Sequence, residues 1–200
     1  MKLVIFDFDG VLVDTLLPCW QAYIPTYGEI TLEKYKTLYE GNIYETVDQK
    51  EGKVRPEDYF HEYDLRTQER EIKVPPELKI VLTTLALEND LAIVSSTPYK
   101  FIARVLEKEK IKEIFKDILG MEAHTKKVIK INSLLEKYNL SPSDAVYVTD
   151  TLGDIKEAHA CEVRAIAVTW GFHERETLEK GQPFRIVNLP GELLQAIKDL

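Results

Sequence analysis

Two aspartates near the N-terminus are the residues best suited to carry chemistry. An unbroken apolar run at residues 3–6 predicts a strand buried on both faces, as in a parallel sheet, and Asp7 and Asp9 follow it. Side chains two residues apart on a strand point to the same face, so both carboxylates lie on one face, and Gly10 lets the backbone turn sharply after them. Because ionised carboxylates beside a core are costly without compensation, the pair indicates either an ordinary turn or a functional site.

A second polar group follows another apolar run. Residues 91–94 predict a buried strand, and Ser95, Ser96 and Thr97 come directly after it, before Pro98. Pro98 suits the first position of a helix, and a Ser or Thr before it suits the helix cap. Backbone N–H groups and a hydroxyl at a helix start form an anion site, so the segment is either a plain cap or a phosphate site.

Asp150 and Asp154 follow a third apolar run, at residues 145–148. Either aspartate alone is explained as a turn residue or a helix cap. In a parallel sheet, however, ligands bind outside the carboxyl ends of the strands. The ends of three predicted strands therefore place Asp7, Ser95 and Asp150 at one edge of the sheet.

These polar groups need a sheet to position them, and the pattern after residue 75 predicts one. Apolar runs at 91–94, 145–148, 165–168 and 185–187, with a short segment at 118–119, alternate with stretches of helical spacing. Strands alternating with helices predict an α/β fold, a doubly wound parallel sheet with helices on both faces. The helices between the strands are predicted at 78–87, 101–109, 127–138, 154–161 and 192–200.

Residues 16–74 have a different character. They contain no strand-like apolar run, and their aromatic residues have helical spacing, with Pro56 in the first turn of one predicted helix. A proline pair at 75–76 marks the return to the sheet. The pattern predicts a small helical domain at 16–74, inserted after the first strand of a core domain at 1–15 and 75–200. Further helices of a single core are the alternative.

Composition argues against several classes of function. The chain has 200 residues and a formal charge of -8, from 34 acidic and 26 basic residues, which disfavours binding to nucleic acid or to anionic membranes. No apolar run approaches the roughly 18 residues of a membrane span. Cys19 and Cys161 are too few and too far apart for a disulfide framework or a zinc site, and no signal peptide precedes residue 3. We therefore expect a cytoplasmic protein, either a monomer or a homodimer.

Taken in order, the polar segments resemble the motifs of the haloacid dehalogenase-like (HAD) hydrolases, a superfamily made up largely of phosphatases. Residues 6–15, which include Asp7 and Asp9, are similar to its first motif, and Ser95 matches the Ser or Thr of its second. The position of the helical insert and the closing segment at 168–172 are similar to the phosphoglycolate phosphatase-like branch. The resemblance implies the Rossmann-like core of that superfamily with a helical cap.

Two further segments complete the resemblance. Asp150 and Asp154 resemble the Gly-Asp-x-x-x-Asp metal motif, with Thr149 in place of the glycine. The third motif is a lysine before a helix, for which Lys126 and Lys127 are both candidates. The usual Lys-Pro-x-Pro form is absent, and Lys126 is the preferred match.

The resemblance implies a role for each matched residue. Asp7 is the nucleophile that forms an aspartyl-phosphate, and Asp9 protonates the leaving alcohol and then activates water. Because a halide leaves without a proton, the presence of Asp9 favours phosphatase over dehalogenase chemistry. Ser95, Ser96 and Lys126 hold the phosphoryl group.

The implied cofactor is Mg²⁺, a hard cation that prefers oxygen ligands. The resemblance assigns its ligands to the Asp7 carboxylate, the backbone carbonyl of Asp9, and Asp150. Asp154 is expected to orient a ligand or a bound water.

The implied function is a Mg²⁺-dependent phosphatase acting on a small phosphorylated metabolite, with a 2-phosphoglycolate-like compound as a candidate. The cap is expected to close over the site and to read the leaving group. Gly41 and Asn42 resemble the substrate-facing loop of this cap type, while an ordinary helix end is the other interpretation. Two alternatives stay open: a β-phosphoglucomutase-like phosphotransferase, and a non-catalytic binding protein of the same fold.

Overall fold

The computed structural model describes residues 2–46 and 56–200; residues 1 and 47–55, the latter within the predicted insert, lie outside the described part. The strands of the described part are β1 Leu3–Phe6, β2 Asp90–Val94, β3 Phe115–Leu119, β4 Ala145–Thr149, β5 Arg164–Val168 and β6 Arg185–Val187. They form one parallel sheet in the order β3-β2-β1-β4-β5-β6. The order reverses between β1 and β4, which is where ligands bind in open sheets of this kind.

Helices connect the strands, and those predicted after residue 75 are found within two residues of their expected bounds. The short helix at Arg175–Glu179 was not predicted, because Leu178 is the one buried residue in an otherwise polar stretch. No helix in the described ranges is long and apolar enough to cross a membrane. The helices are α1 Leu16–Tyr27, α2 Leu32–Lys36, α3 Pro56–Glu69, α4 Pro76–Leu85, α5 Tyr99–Lys108, α6 Lys127–Tyr138, α7 Leu152–Ala160, α8 Arg175–Glu179 and α9 Glu192–Lys198.

The sheet is covered on both faces, which confirms the doubly wound α/β fold. Alternate side chains of a strand point to opposite faces. Val4 and Phe6 of β1 therefore pack with α4, α5 and α9, whereas Leu3 and Ile5 pack with α6, α7 and α8. All four side chains are fully buried, which explains why the strands are continuously apolar.

The described part of the insert, residues 16–46 and 56–74, has an aromatic core. α1 and α3 pack against each other, and α2 continues into a 3₁₀ turn at Thr37–Glu40. Phe101 of α5 and Phe172, which follows β5, belong to the same cluster of side chains. The ring centroid of Phe101 lies 5.8 Å from that of Tyr63 in α3. The insert therefore packs directly against the carboxyl edge of the sheet.

Candidate active site

A cavity of about 150 Å³ lies between the carboxyl edge of the sheet and the insert. Asp150, which was predicted at this edge, is fully buried, and neither it nor Lys126 is among the lining residues of the described cavity. The lining contains these residues predicted from the sequence: Asp7, Asp9, Gly41, Asn42, Ser95, Ser96 and Asp154.

Asp7 sits at the end of β1 with both carboxylate oxygens engaged. Its Oδ1 accepts a hydrogen bond from the backbone N–H of Phe8, and its Oδ2 accepts one from Lys127 Nζ, each at 2.7 Å. The Asp7 N–H donates to the carbonyl of Val148 in β4, so the sheet ladder fixes the backbone at this position. Burial raises the pKa of the Asp7 carboxyl well above its ordinary value, and the Lys127 ammonium opposes that rise.

The lysine beside Asp7 is Lys127, which corrects the preference for Lys126. Lys126 caps α6 with an extended backbone, and its ammonium pairs with Glu45 at the surface, at 2.8 Å. Lys127 is the first residue of α6 and is buried. Adjacent residues at a helix start point in different directions, so one of the two faces the site and the other faces solvent.

Lys127 joins Asp7 to Asp154. Its Nζ also donates to Asp154 Oδ2 at 2.7 Å, and the Thr149 hydroxyl donates to the same oxygen at 2.8 Å. Burial lowers the pKa of Lys127, but the carboxylates of Asp154 and Asp7 outweigh it and hold that pKa well above its ordinary value. Thr149, the departure from the family glycine, therefore has a partner inside the site.

The Asp9 carboxylate accepts hydrogen bonds from three hydroxyl groups. Thr15 and Tyr63 donate to Oδ1 at 2.8 Å each, and Thr97 donates to Oδ2 at 2.6 Å. Thr15 and Thr97 belong to loops at the edge of the sheet, while Tyr63 belongs to α3 of the insert. Asp9 was predicted as a site residue, but none of these three hydrogen bonds was predicted from the sequence.

Ser95 is fully buried directly after β2, but it does not cap a helix. α5 begins at Tyr99 with Pro98 as its cap and no side-chain cap bond, so the predicted cap and the first-helical position of Pro98 are both wrong. Instead, Ser95 Oγ accepts a hydrogen bond from the Thr97 N–H at 3.1 Å. The carbonyl of Ser96 accepts one from Tyr44 Oη at 2.7 Å, which ties this loop to the insert.

Lys130 lies under the Ser95 loop and was not predicted. Its Nζ donates to the carbonyls of Ser95, at 2.6 Å, and Gly120, at 3.3 Å. The side chain is 1% exposed, and burial, with a smaller contribution from Lys127, lowers its pKa to about 8. Lys130 follows Lys127 by three residues and so shares its helix face, but this spacing alone does not show that the side chain is buried.

Asp150 has the properties of a metal ligand. Its Oδ2 accepts a hydrogen bond from the Phe172 N–H at 2.7 Å, while Oδ1 is buried and has no hydrogen-bond partner among the described residues. A Cβ at Gly10, whose φ is +73°, or at Gly171 would overlap the carboxylate, so both glycines make room for it. Burial, with a smaller contribution from the Asp154 charge, raises the pKa of Asp150 to about 7, while the Phe172 N–H and the Lys127 ammonium oppose that rise.

This donor set fits Mg²⁺. Asp7 and Asp150 contribute hard carboxylate oxygens, the kind of ligand that Mg²⁺ prefers. No group of three or more His, Cys, Asp and Glu side chains that could hold a metal ion occurs among the residues at 2–46 and 56–200. The expected set needs only two carboxylates, because its third member is the backbone carbonyl of Asp9.

The Gly41–Asn42 loop reaches the site from the insert. Asn42 Nδ2 donates to Glu157 Oε1 at 3.2 Å, and the Lys127 N–H donates to the same oxygen at 3.0 Å. A Cβ at Gly153 would overlap the carbonyl of Gly41, so the loop lies directly on the start of α7. Gly41 also follows the 3₁₀ turn, and thus both ends a helical segment and lines the cavity.

Comparison with known sequences decides the family. Residues 4–168 match the family model described as haloacid dehalogenase-like hydrolase. The chain belongs to the haloacid dehalogenase-like hydrolases. The resemblance inferred from its motifs is thereby confirmed, together with the expectation of an enzyme.

This hydrolase is similar, along its whole length, to a known phosphatase sequence and to two solved hydrolase structures. A phosphoglycolate phosphatase from Synechococcus elongatus is 26% identical over 213 residues, which cover 100% of this chain and 99% of the relative. A haloacid dehalogenase-like hydrolase from Streptococcus pneumoniae has a TM-score of 0.80 at 21% identity, with 98% of each chain covered. A hydrolase from Pseudomonas syringae has a TM-score of 0.83 at 16% identity, over 100% of this chain and 99% of that one. The two structures establish the fold of the hydrolase.

Proposed function

We propose that this hydrolase is a Mg²⁺-dependent phosphatase that cleaves a small phosphorylated metabolite through an aspartyl-phosphate on Asp7. The observation that carries the proposal is the buried ion pair between Asp7 and Lys127 on a cavity that Asp9 and Ser95 also line. A nucleophile, a cation, a proton donor and a hydroxyl thus surround one space. The phosphoglycolate phosphatase relative supports this class of reaction.

The side chains divide the proposed reaction between them. A carboxylate oxygen of Asp7 attacks phosphorus, and Lys127 neutralises the charge that develops on the phosphoryl oxygens. Asp9 gives its proton to the ester oxygen as the bond from phosphorus to that oxygen breaks. Asp9 then takes a proton from the water that attacks the aspartyl-phosphate, so inorganic phosphate leaves and both carboxyl groups return to their first state.

Mg²⁺ would be held by the Asp7 carboxylate, the Asp9 carbonyl and Asp150, whose Oδ1 has an unshared lone pair. When bound, the ion supplies the positive charge that lets an anionic carboxylate approach an anionic phosphate. Asp154 accepts from Lys127, so its proposed role is to orient that lysine.

The insert would act as the cap that reads the leaving group. Tyr35 and Tyr39 place their hydroxyls 2.6 Å apart on its wall. A small alcohol would therefore meet aromatic rings and phenol groups, and the name of the relative makes 2-phosphoglycolate the first candidate ester. The large apolar and aromatic residues that the insert contributes to the wall are Tyr23, Tyr27, Tyr35, Tyr39, Ile43, Tyr44, Tyr59 and Phe60.

We place the reaction in the cytoplasm, where the buried Cys19 on the same wall stays a free thiol.

Hydrolysis of p-nitrophenyl phosphate by the wild type, Asp7→Asn and Asp14→Asn, with and without Mg²⁺, tests the proposal. Asp14 lies in the same motif but is exposed, so Asp14→Asn is the matched control. We expect Mg²⁺-dependent turnover by the wild type and the control, and none by Asp7→Asn. Rapid acid quenching should trap an acyl phosphate on the wild type but not on Asp7→Asn.

A panel of phosphorylated metabolites, 2-phosphoglycolate included, then identifies the substrate. A folded wild type that hydrolyses none of these esters in the presence of Mg²⁺ contradicts the proposal. A long-lived phosphoenzyme that turns over only when a sugar bisphosphate is added favours the phosphotransferase.

A further inference from the structure

The hydrogen bond from Tyr63 to Asp9 crosses from the insert to the catalytic edge of the sheet. It joins Tyr63 Oη to Asp9 Oδ1 at 2.8 Å, and Thr15 donates to the same oxygen at the same distance. Oδ2 has a single hydroxyl partner among the described residues, Thr97 Oγ1 at 2.6 Å. The two oxygens of the carboxylate are therefore held unequally.

Packing directs the Tyr63 hydroxyl. The side chain is 2% exposed, and its ring lies 6.4 Å from those of Tyr59 and Phe60 and 5.8 Å from that of Phe101. Phe101 belongs to α5, so the ring is enclosed by both the insert and the α/β part. A carboxylate oxygen can only accept, so the Tyr63 hydroxyl is the donor of this hydrogen bond.

Tyr63 acts on Asp9 without lining the space where a substrate would bind. The described cavity is lined by its helix neighbours Tyr59 and Phe60, but not by Tyr63. We therefore expect the Tyr63 hydroxyl to affect turnover through Asp9 rather than through contact with the substrate.

We propose that Tyr63 is a positioning residue that anchors Asp9 Oδ1 and leaves Oδ2 to transfer the proton, an inference that rests on the proposed phosphatase function. In the first step the Oδ2 proton passes to the ester oxygen while the bond from Asp7 to phosphorus forms and the ester bond breaks. In the second step Oδ2 takes a proton from the attacking water while the bond from Asp7 to phosphorus breaks. The Thr97 hydroxyl can stay hydrogen-bonded to Oδ2 whether or not Oδ2 carries the proton, because a hydroxyl accepts as well as donates.

This arrangement makes proton transfer depend on the docked insert. The anchoring hydroxyl comes from α3, so movement of α3 away from the sheet breaks its bond to Asp9. Asp9 would then lose one of its two Oδ1 donors, and proton transfer would be favoured only while the cavity is covered.

The positioning role of Tyr63 is tested by the dependence of kcat/KM on the leaving group. This dependence is measured in the presence of Mg²⁺ for the wild type, Tyr63→Phe and Tyr138→Phe. The ratio kcat/KM reports the first phosphoryl transfer, the step in which Asp9 gives its proton. p-Nitrophenolate leaves readily without a proton, whereas phenolate and alkoxides need one, so a misplaced acid penalises the poorer leaving groups. Tyr138 donates to Asp117 away from the cavity, so Tyr138→Phe removes the same kind of bond elsewhere.

We expect Tyr63→Phe to lose at most about threefold in kcat/KM with p-nitrophenyl phosphate and about 10- to 100-fold with phenyl and alkyl phosphates. Tyr138→Phe should match the wild type throughout. Added to Asp9→Asn, Tyr63→Phe should cause no further loss, because the group that it positions is already gone.

The outcomes separate the two proposals. Three results would overturn the positioning role: Tyr63→Phe loses equally with every ester, it loses with none, or it causes its full loss again in the Asp9→Asn background. In each of these cases, turnover by the wild type still supports the phosphatase. A wild type that hydrolyses none of the esters overturns both.

Discussion

Lys127 Nζ lies 2.7 Å from Asp7 Oδ2, and neither side chain is more than 7% exposed. The same nitrogen lies 2.7 Å from Asp154 Oδ2, so one cation serves two buried carboxylates. Such a group is costly to break, because the partner left behind is a buried and uncompensated charge. The contact that places a cation beside the proposed nucleophile is therefore also one whose loss would destabilise the fold.

Lys127→Met should therefore reduce both activity and stability. Without the ammonium, the charge on the transferring phosphoryl group is no longer neutralised, and we expect kcat to fall by about 10²- to 10³-fold. The free energy of unfolding without Mg²⁺ should fall by about 3 kcal/mol, since Asp7 and Asp154 remain buried. Steady-state kinetics and urea unfolding measure the two effects. Lys126→Met, which changes a surface residue, is the control and should leave both unchanged; the reverse pattern would restore Lys126 as the site lysine.

Lys130 should make stability depend on pH in the alkaline range. Its pKa is about 8 in the folded state, below the ordinary value of 10.5, so between these values the unfolded chain binds a proton that the folded chain does not. Stability must then rise with pH across this window. Relative to Lys130→Met, the free energy of unfolding of the wild type should increase by about 2 kcal/mol from pH 7 to 9.5. Urea unfolding of both proteins over this range measures the difference, and a difference independent of pH would contradict the prediction.

The strands and the carboxylates at their ends could be predicted because their signals are local. A continuous apolar run identifies a buried parallel strand, and the residue that follows it lies at the ligand-binding edge. Asp7, Ser95 and Asp150 were placed by this reasoning alone. Their chemical roles required the resemblance to a family, because the same residues also suit turns and caps.

Contacts that depend on side-chain direction or on distant segments could not be predicted. The start of α6 was predicted at residue 127, but choosing between Lys126 and Lys127 also requires the direction of each side chain relative to the sheet. Adjacent side chains on a helix differ in direction by about 100°. Tyr63 is 54 residues from Asp9 in the sequence, and its spacing in α3 indicates only a core position. Lys130 has the composition of a solvated helix face, and only tertiary packing buries it.

Gly171→Ala should impair Mg²⁺ binding, because a Cβ at this position would overlap the Asp150 carboxylate. We expect the dissociation constant for Mg²⁺, measured by calorimetry, to rise at least about tenfold, which corresponds to 1.4 kcal/mol. Gly191→Ala is the matched control, since nothing lies within 4 Å of a Cβ there. Unchanged Mg²⁺ binding by a folded Gly171→Ala would remove Asp150 from the ligand set.

Thr149→Val should show whether the departure from the family glycine supports the site. The hydroxyl donates to Asp154 Oδ2, and a valine fills the same volume without that donor. Burial raises the pKa of Asp154, but Lys127 and the hydroxyl of Thr149 outweigh it and hold that pKa below its ordinary value. Loss of the bond to a buried carboxylate should lower the free energy of unfolding by about 2 kcal/mol.

The kinetic effect of Thr149→Val should follow from the same contact. Asp154 accepts a hydrogen bond from Lys127, and its proposed role is to orient that lysine. We therefore expect kcat to fall about tenfold with little change in KM. Thr149→Ser keeps the hydroxyl and loses only a methyl group, and should retain kcat. A Thr149→Val protein with the stability and kcat of the wild type would show that the Thr149 hydroxyl is not needed to hold Asp154. Equal losses in both variants would assign the effect of Thr149 to its methyl group.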